Sequence, residues 1–258
     1  MVKFTIDGRI VEIEEGKTVL DAAKKLDIYI PTLCYHPALE PYGACRLCLV
    51  EVTKESWKGW SKLVVSCAYP VEENIIVSTA SEKATKSRKF VMQLLLARCP
   101  ESQVIRDLAG KLDVQLPAIN TNSSQTERLK DCILCGLCAR ICSDLVGQKA
   151  ISFTKRGINR MVDTAFQKNS ENCIGCSACV FVCPTNAVKY IDTKNIRKML
   201  TWNTEIKMNK CTMCGKEFIT DKQLAVLKNS SKLVQDIINV CPDCRQKQLM
   251  SNIPIYKI

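Results

Sequence analysis

The sequence predicts an α+β protein assembled from several small units, and three observations predict it. Residues 1 to about 80 alternate apolar and polar positions with the period of strands. Residues 81 to about 112 carry helical periodicity. All but one of the 17 cysteines fall into four short-spaced groups. A chain of 258 residues suits two to four domains of this kind.

At the start of the chain, Val2, Phe4 and Ile6 alternate with polar neighbours, Asp7-Gly8 marks a turn, and Val11 and Ile13 resume the alternation, which predicts a hairpin. Thr18 and Asp21 occupy capping-box positions around Leu20, Ala22, Ala23 and Leu26, so a helix should follow. Hairpin then helix is how a β-grasp domain opens, with Val64-Val65 and Ile75-Ile76-Val77 as later strands. Thr79 and Glu82 are placed to cap a connector helix carrying Val91, Leu94, Leu95 and Arg98, which Pro100 stops. Val104, Ile105, Leu108 and Leu112 give a second apolar face, and the polar stretch from Leu116 to Thr126 reads as a linker. The expected domains are 1–80, 81–126 (connector and linker), 127–198 and 199–258.

Composition narrows the function classes. Cysteines in C-x-x-C runs favour metal over disulfide pairing, which argues against a secreted disulfide scaffold. Met1-Val2-Lys3-Phe4-Thr5 leads straight into strand-like sequence, so no signal peptide is expected, and the apolar run from Phe90 to Ala97 is too short to span a bilayer. A reducing cytoplasm is the expected compartment. The formal charge of +11 treats every Cys as neutral. Four metal sites of four thiolates, at about −2 each, would leave roughly +3, so the basic residues read as counter-charge and no nucleic-acid partner is expected.

An internal repeat is the strongest signal. Cys132-x-x-Cys135-x-x-Cys138-x-x-x-Cys142 is echoed by Cys173-x-x-Cys176-x-x-Cys179-x-x-x-Cys183-Pro184, and each copy precedes a strand candidate, Ala150–Phe153 and Ala187–Tyr190. Three thiolates at two-residue gaps wrap one [4Fe–4S] cubane, while the fourth Cys, expected at the start of the following helix, serves the other. The first cluster should take Cys132, Cys135, Cys138 and Cys183, and the second Cys173, Cys176, Cys179 and Cys142. Ser143 replaces the usual Pro after Cys142, which leaves ligation intact. Zinc does not need a third Cys at this spacing. Such a duplication is the make-up of a bacterial-type two-cluster ferredoxin.

A second quartet is Cys34, Cys45-x-x-Cys48 and Cys67, spaced unlike a plant ferredoxin. Pro31-Thr32-Leu33-Cys34-Tyr35-His36-Pro37 with Cys45-Arg46-Leu47-Cys48 resembles the N-terminal [2Fe–2S] domain shared by the large iron–sulfur subunit of complex I, by [FeFe]-hydrogenases and by the small diaphorase-type subunit of soluble NAD-linked hydrogenases. The resemblance continues through the repeat to about residue 195, and the length best suits the small diaphorase-type subunit. It implies an iron–sulfur electron-transfer subunit with a flavin- and NAD(P)-binding partner and a second redox partner, such as a hydrogenase, a formate dehydrogenase or another flavoprotein. An electron-bifurcating complex in an anaerobe is a setting it suggests.

The larger relatives carry a further cubane held by one His and three Cys. Here that region offers only Cys99, read as an ordinary buried thiol. His36, the single histidine, is expected to hydrogen-bond near the cluster and not to ligate it.

The last quartet, Cys211, Cys214, Cys241 and Cys244, forms two knuckles with helical sequence between them. It resembles a zinc ribbon or treble clef, and structural zinc is favoured over a further iron–sulfur cluster. No dinucleotide or phosphate-binding glycine motif is present, so no catalytic residue is expected. The alternatives to a complex subunit are a free-standing polyferredoxin shuttle and a basic metal-binding regulator of nucleic acid.

Overall fold

A computed structural model describes residues 1–115, 129–230 and 235–251, in which helices and sheets are mixed. The hairpin forms as expected from strands β1 (Val2–Ile6) and β2 (Arg9–Ile13), turning at Asp7-Gly8, both with positive φ. Helix α1 (Val19–Lys25) starts at a complete capping box: Asp21 N–H donates to Thr18 Oγ1 at 3.3 Å and Thr18 N–H to Asp21 Oδ2 at 3.0 Å.

Strands β3 (Leu49–Thr53), β4 (Ser61–Val65) and β5 (Ile76–Ser78) complete a five-stranded sheet in the order β2-β1-β5-β3-β4. β1 and β5 run parallel and the other pairs antiparallel. The inward side chains of the sheet, among them Phe4, Ile6, Val50, Val52 and Val77, bury against Val19, Leu20, Ala22 and Ala23 of α1.

The connector is two helices, α2 (Glu82–Arg98) and α3 (Gln103–Lys111). Its cap differs from expectation. Ser81 accepts from Ala84 N–H, whereas Thr79 donates its hydroxyl to Asp7 and so ties the end of the sheet to the hairpin turn. Met92, Leu95 and Leu96 of α2 and Ile105 and Ala109 of α3 pack with Leu33, Leu39 and Leu47 on one side and Ile133, Leu137 and Ile141 on the other. The two halves of the chain therefore share one core through the connector. Cys99 lies fully buried inside it, as an ordinary core thiol would. The expected linker at Leu116–Thr126 lies outside the described residues.

Within the repeat, the short helices α4 (Leu137–Arg140) and α5 (Ala178–Phe181) each begin two residues after the second Cys of a copy. Cys142 lies in a π-helical stretch (Ile141–Leu145) that prolongs α4, and Cys183 lies just past the end of α5. The fourth cysteines thus sit at helix ends and not at the starts expected of them, because each helix already begins inside its ligand loop. The strand candidates are also shifted. β6 (Ser152–Thr154) pairs with β7 (Met161–Asp163), and the second copy leads to β8 (Ile191–Thr193).

β8, β9 (Ile196–Met199), β10 (Thr204–Lys210) and β11 (Glu217–Thr220) form a four-stranded antiparallel sheet in the order β11-β10-β9-β8. Helices α6 (Asp221–Ser230), α7 (Gln235–Ile238) and α8 (Pro242–Ser251) follow. Among the described residues no helix is long and apolar enough to cross a membrane.

This sheet rests on the second ligand loop. Thr220 donates its hydroxyl to Ile174 C=O, Arg197 Nη1 donates to Gly175 C=O at 2.9 Å, and Lys222 Nζ donates to Glu171 C=O at 2.7 Å. Gly175 has φ +66, and a Cβ there would meet Ile206 Cδ1 at 2.8 Å and Thr220 Cγ2 at 2.9 Å. The matching residue of the first copy is Leu134 at φ 55, so the backbone alone does not require glycine; the overlying sheet does. Gly175→Ala should therefore destabilise by about 1–3 kcal/mol more than Gly147→Ala, which also changes a positive-φ glycine but meets nothing within 4 Å. Thermal unfolding of the two variants measures this, and equal midpoints would contradict it.

Candidate metal centres

The residues at 34, 45, 48 and 67 converge between the first sheet and the connector, and all four cysteines are buried. Cys45 N–H donates to Cys34 Sγ at 3.4 Å, and Cys48 Sγ lies 3.3 Å from Cys67 Sγ. Cys34 is drawn down to about 2 by the Cys45 and Cys67 thiols and then by the Cys45 and Ala44 N–H groups, against the effect of burial. Cys48 is drawn down to about 6, mainly by Cys67, and Cys45 and Cys67 are pushed up in return. Four buried thiols in mutual contact cannot all ionise together unless a cation neutralises them, which is what metal ligation supplies. His36 Nδ1 accepts from Ala38 N–H at 3.2 Å.

The two repeat copies build the same ligand loop twice. Leu134 and Gly136 in the first and Gly175 and Ser177 in the second all take positive φ. This alternation turns successive N–H groups inward, a concavity suited to anions. Leu134 and Gly175 direct theirs to Cys132 and Cys173, and Leu137 and Ala178 direct theirs to Cys135 and Cys176, each favouring the thiolate. Burial acts the other way and dominates in all four, with Cys135 pushed up to about 12.

Cys183 lies within electrostatic reach of Cys132, Cys135 and Cys138, whereas Cys142 lies within reach of Cys173, Cys176 and Cys179. Cys142, Cys173, Cys176 and Cys179 line a common pocket together with Ile151, Met199 and Trp202.

Two orphaned donors test whether clusters fit these sites. Ser66 Oγ and Trp202 Nε1 are buried without a hydrogen-bond partner. Each lies beside a cysteine, Ser66 at Cys48 and Trp202 at Cys179, and each favours that thiolate. Buried donors left unmatched by protein atoms but aimed at sulfurs fit sites that hold anionic iron–sulfur groups.

The last quartet is tighter. The sulfurs of Cys211, Cys214, Cys241 and Cys244 all lie within 4.8 Å of one another. Cys241 N–H donates to Cys211 Sγ at 3.3 Å, and Gly215 at φ +72 closes the first knuckle by donating its N–H to Cys211 C=O. Cys211 is drawn down to about 6, chiefly by that Cys241 N–H, and Cys244 is pushed up to about 12 by Cys214 and Cys241.

The sequence analysis named all sixteen of these cysteines. It did not find Trp202, Ser66, Arg88 or Arg197, because no residue type or spacing marks a side chain that only meets the sulfurs after folding.

Comparison with known proteins agrees with this geometry. Residues 1–82 match the 2Fe-2S iron-sulfur cluster binding domain, and residues 131–187 and 165–216 match two 4Fe-4S dicluster domain families. The chain is 34% identical over 207 residues to the NADPH-Fe(3+) oxidoreductase subunit alpha of Geobacter sulfurreducens, covering 73% of this chain and 24% of that protein. It is 34% identical over 214 residues to the NADP-reducing hydrogenase subunit HndD of Solidesulfovibrio fructosivorans, covering 73% of this chain and 36% of that one. It is 31% identical over 208 residues to the mitochondrial NADH-ubiquinone oxidoreductase 78 kDa subunit of Neurospora crassa, covering 72% and 27%. The chain thus spans between a quarter and just over a third of the length of these relatives. A solved structure of NAD+-reducing [NiFe]-hydrogenase in the H2-reduced state contains a chain similar at a TM-score of 0.55 and 29% identity, over 63% of this chain and 74% of that one. With its ligand loops and cluster-binding domains, the chain is similar over these parts to iron–sulfur subunits of NAD(P)-linked hydrogenases and oxidoreductases.

Proposed function

We propose that the chain relays single electrons between a flavin- and NAD(P)-binding partner subunit and a second redox subunit, as part of a multisubunit oxidoreductase in a reducing cytoplasm. Residues 1–80 are read as a β-grasp [2Fe–2S] domain, 81–126 as the connector, 127–198 as the two-cubane domain and 199–258 as a zinc-ribbon-like domain. Cys34, Cys45, Cys48 and Cys67 would hold the [2Fe–2S] cluster. Cys132, Cys135, Cys138 and Cys183 would hold one [4Fe–4S] cluster, and Cys173, Cys176, Cys179 and Cys142 the other. When bound, such groups supply one-electron redox chemistry without taking up a substrate.

The observation that carries this reading is the serial electrostatic proximity of the three ligand sets. Cys135 feels the charge of Cys34 across the connector core, and Cys138 feels that of Cys179. Leu33, Leu47, Leu137 and Ile141 fill the space around the first junction and keep water from it. Arg140 of α4 donates to Glu40 C=O and stacks at 5.5 Å on Tyr42, holding the first ligand loop of the repeat against the [2Fe–2S] region. The order of stations read from these contacts is [2Fe–2S], first cubane, second cubane. The two partners would then dock at opposite ends, one by the [2Fe–2S] region and the other by the repeat's second copy.

The last quartet is read as structural zinc. Tetrahedral zinc with sulfur at about 2.3 Å needs its ligands close to one another, as these are, whereas a cubane must fit four irons inside its ligand set. One finding favours iron there: the dicluster match at 165–216 reaches Cys211 and Cys214. Metal analysis of anaerobically purified protein separates the two. About ten irons and about one zinc per chain are expected, and about fourteen irons without zinc would make the last domain a fourth electron station.

A serial relay also predicts the outcome of breaking it. Cys176→Ser should remove one cubane, leave the [2Fe–2S] EPR signal in place and stop electron passage between the two partners. Undiminished passage through this variant would contradict the proposed path.

A further inference from the structure

Each of the three ligand sets is met by one arginine, and each arginine makes the same contact. Arg88 donates from Nε at 2.8 Å, and also from Nη2, to Leu49 C=O, the residue after Cys48. Arg98 Nε donates at 2.9 Å to the carbonyl of Cys132 itself. Arg197 Nη1 donates at 2.9 Å to Gly175 C=O, the residue before Cys176. In each case the guanidinium lies within electrostatic reach of the neighbouring cysteine, Cys48, Cys132 or Cys176. Arg88 and Arg98 stand on the same helix, ten residues apart and so about 15 Å along its axis.

Their surroundings differ. Arg88 is only 8% exposed and, among the described residues, makes no carboxylate ion pair. Asp7 is near enough to favour its charge but is engaged with Thr79, its Oδ1 accepting from Thr79 N–H at 2.7 Å. Burying an arginine on a lone carbonyl is unfavourable unless an anion lies close, and the nearest candidate is the Cys48 sulfur and whatever it ligates. Arg98 likewise has no carboxylate partner among the described residues. Arg197 does. Asp192 accepts from its Nε at 2.8 Å and its Nη2 at 2.7 Å, a bidentate pair whose carboxylate is 40% exposed.

We propose that these arginines set the cluster potentials one by one: Arg88 and Arg98 as positive charges without a carboxylate ion-pair partner, which raise the potentials of the [2Fe–2S] cluster and the first cubane, and Arg197 as a charge that Asp192 neutralises. The physics is that one-electron reduction adds a negative charge, and a fixed cation in a low-dielectric surround stabilises the reduced form. All three act as positioning residues as well, since each pins a ligand-loop carbonyl, but only their charge should move a potential. The inference rests on the ligand assignment proposed above.

The test is a redox titration of the full chain followed by EPR. Arg88→Gln keeps a donor for Leu49 C=O and loses the charge. It should lower the [2Fe–2S] midpoint by about 59 mV, a tenfold change in the reduced-to-oxidised ratio, while both cubanes stay put. Arg88→Lys should restore more than half of that loss. Asp192→Asn removes the carboxylate that neutralises Arg197, whose side chain is 11% exposed, and should raise the second cubane's midpoint by a similar factor. If Arg88→Gln does not assemble, Arg98→Gln carries the same prediction for the first cubane, and Asp192→Asn stands by itself. Midpoints unchanged in assembled Arg88→Gln or Arg98→Gln, or in Asp192→Asn, would overturn the inference. A wild-type chain lacking iron would instead overturn the ligand assignment.

Discussion

A thiolate withdrawn from water must find a cation or remain protonated, and this chain folds around four sets of four cysteines that face that choice. Burial is the first cause acting on the thiols of both repeat copies, pushing Cys132, Cys135, Cys138, Cys173, Cys176 and Cys179 upward. Neighbouring cysteines add to this push, while around the ligand sets the inward N–H groups, the buried Ser66 hydroxyl, the Trp202 indole and three guanidinium groups pull the other way. The protein has gathered donors and cations where its own side chains supply no full negative charge. That imbalance is resolved by metal groups carrying net negative charge.

The same requirement explains the architecture. Ligand loops with alternating left-handed residues are poor at forming regular structure, so each is braced from outside. The first is held by α2 through Arg98 and by the [2Fe–2S] region through Arg140. The second is held by the four-stranded sheet, whose Thr220 and Arg197 reach its carbonyls, and by Lys222 of α6. In this view the last domain and its tight Cys quartet serve the second ligand loop, because the strand β11 that carries Thr220 runs on directly from the first knuckle. The connector helix α2 does similar work at two places along its length, and so couples the spacing of the first two stations to the length of one rigid element.

Much of this was legible in the sequence, and the reasons are local. Val2, Phe4 and Ile6 against Val11 and Ile13 declare a hairpin by period, and Thr18 with Asp21 declares a helix start, because both signals depend only on near neighbours. Cysteine spacing is equally local. What escaped was set by distant contacts. Thr79 was read as a cap but is claimed by Asp7, 72 positions away, leaving Ser81 to cap α2. Strand β3, which follows directly on Cys48, is hidden by the ligand loop ahead of it. The strand expected at Ala187–Tyr190 gives way to β8, since Ala187 and Val188 are buried under the cysteines and Lys189 N–H goes to Thr201 Oγ1. The side chains that meet the ligand sets from outside, Ser66, Arg88, Arg98, Arg197 and Trp202, carry no motif in the sequence and acquire meaning only from what lies beside them.

Serial adjacency of three redox stations is the centre of this account, and magnetic interaction between them tests it most directly. EPR of the fully reduced chain should show the first cubane broadened by spin coupling to both the [2Fe–2S] cluster and the second cubane, with the [2Fe–2S] signal sharpening when the first cubane is held oxidised. Three signals that sum as isolated centres at every stage of reduction would contradict the relay.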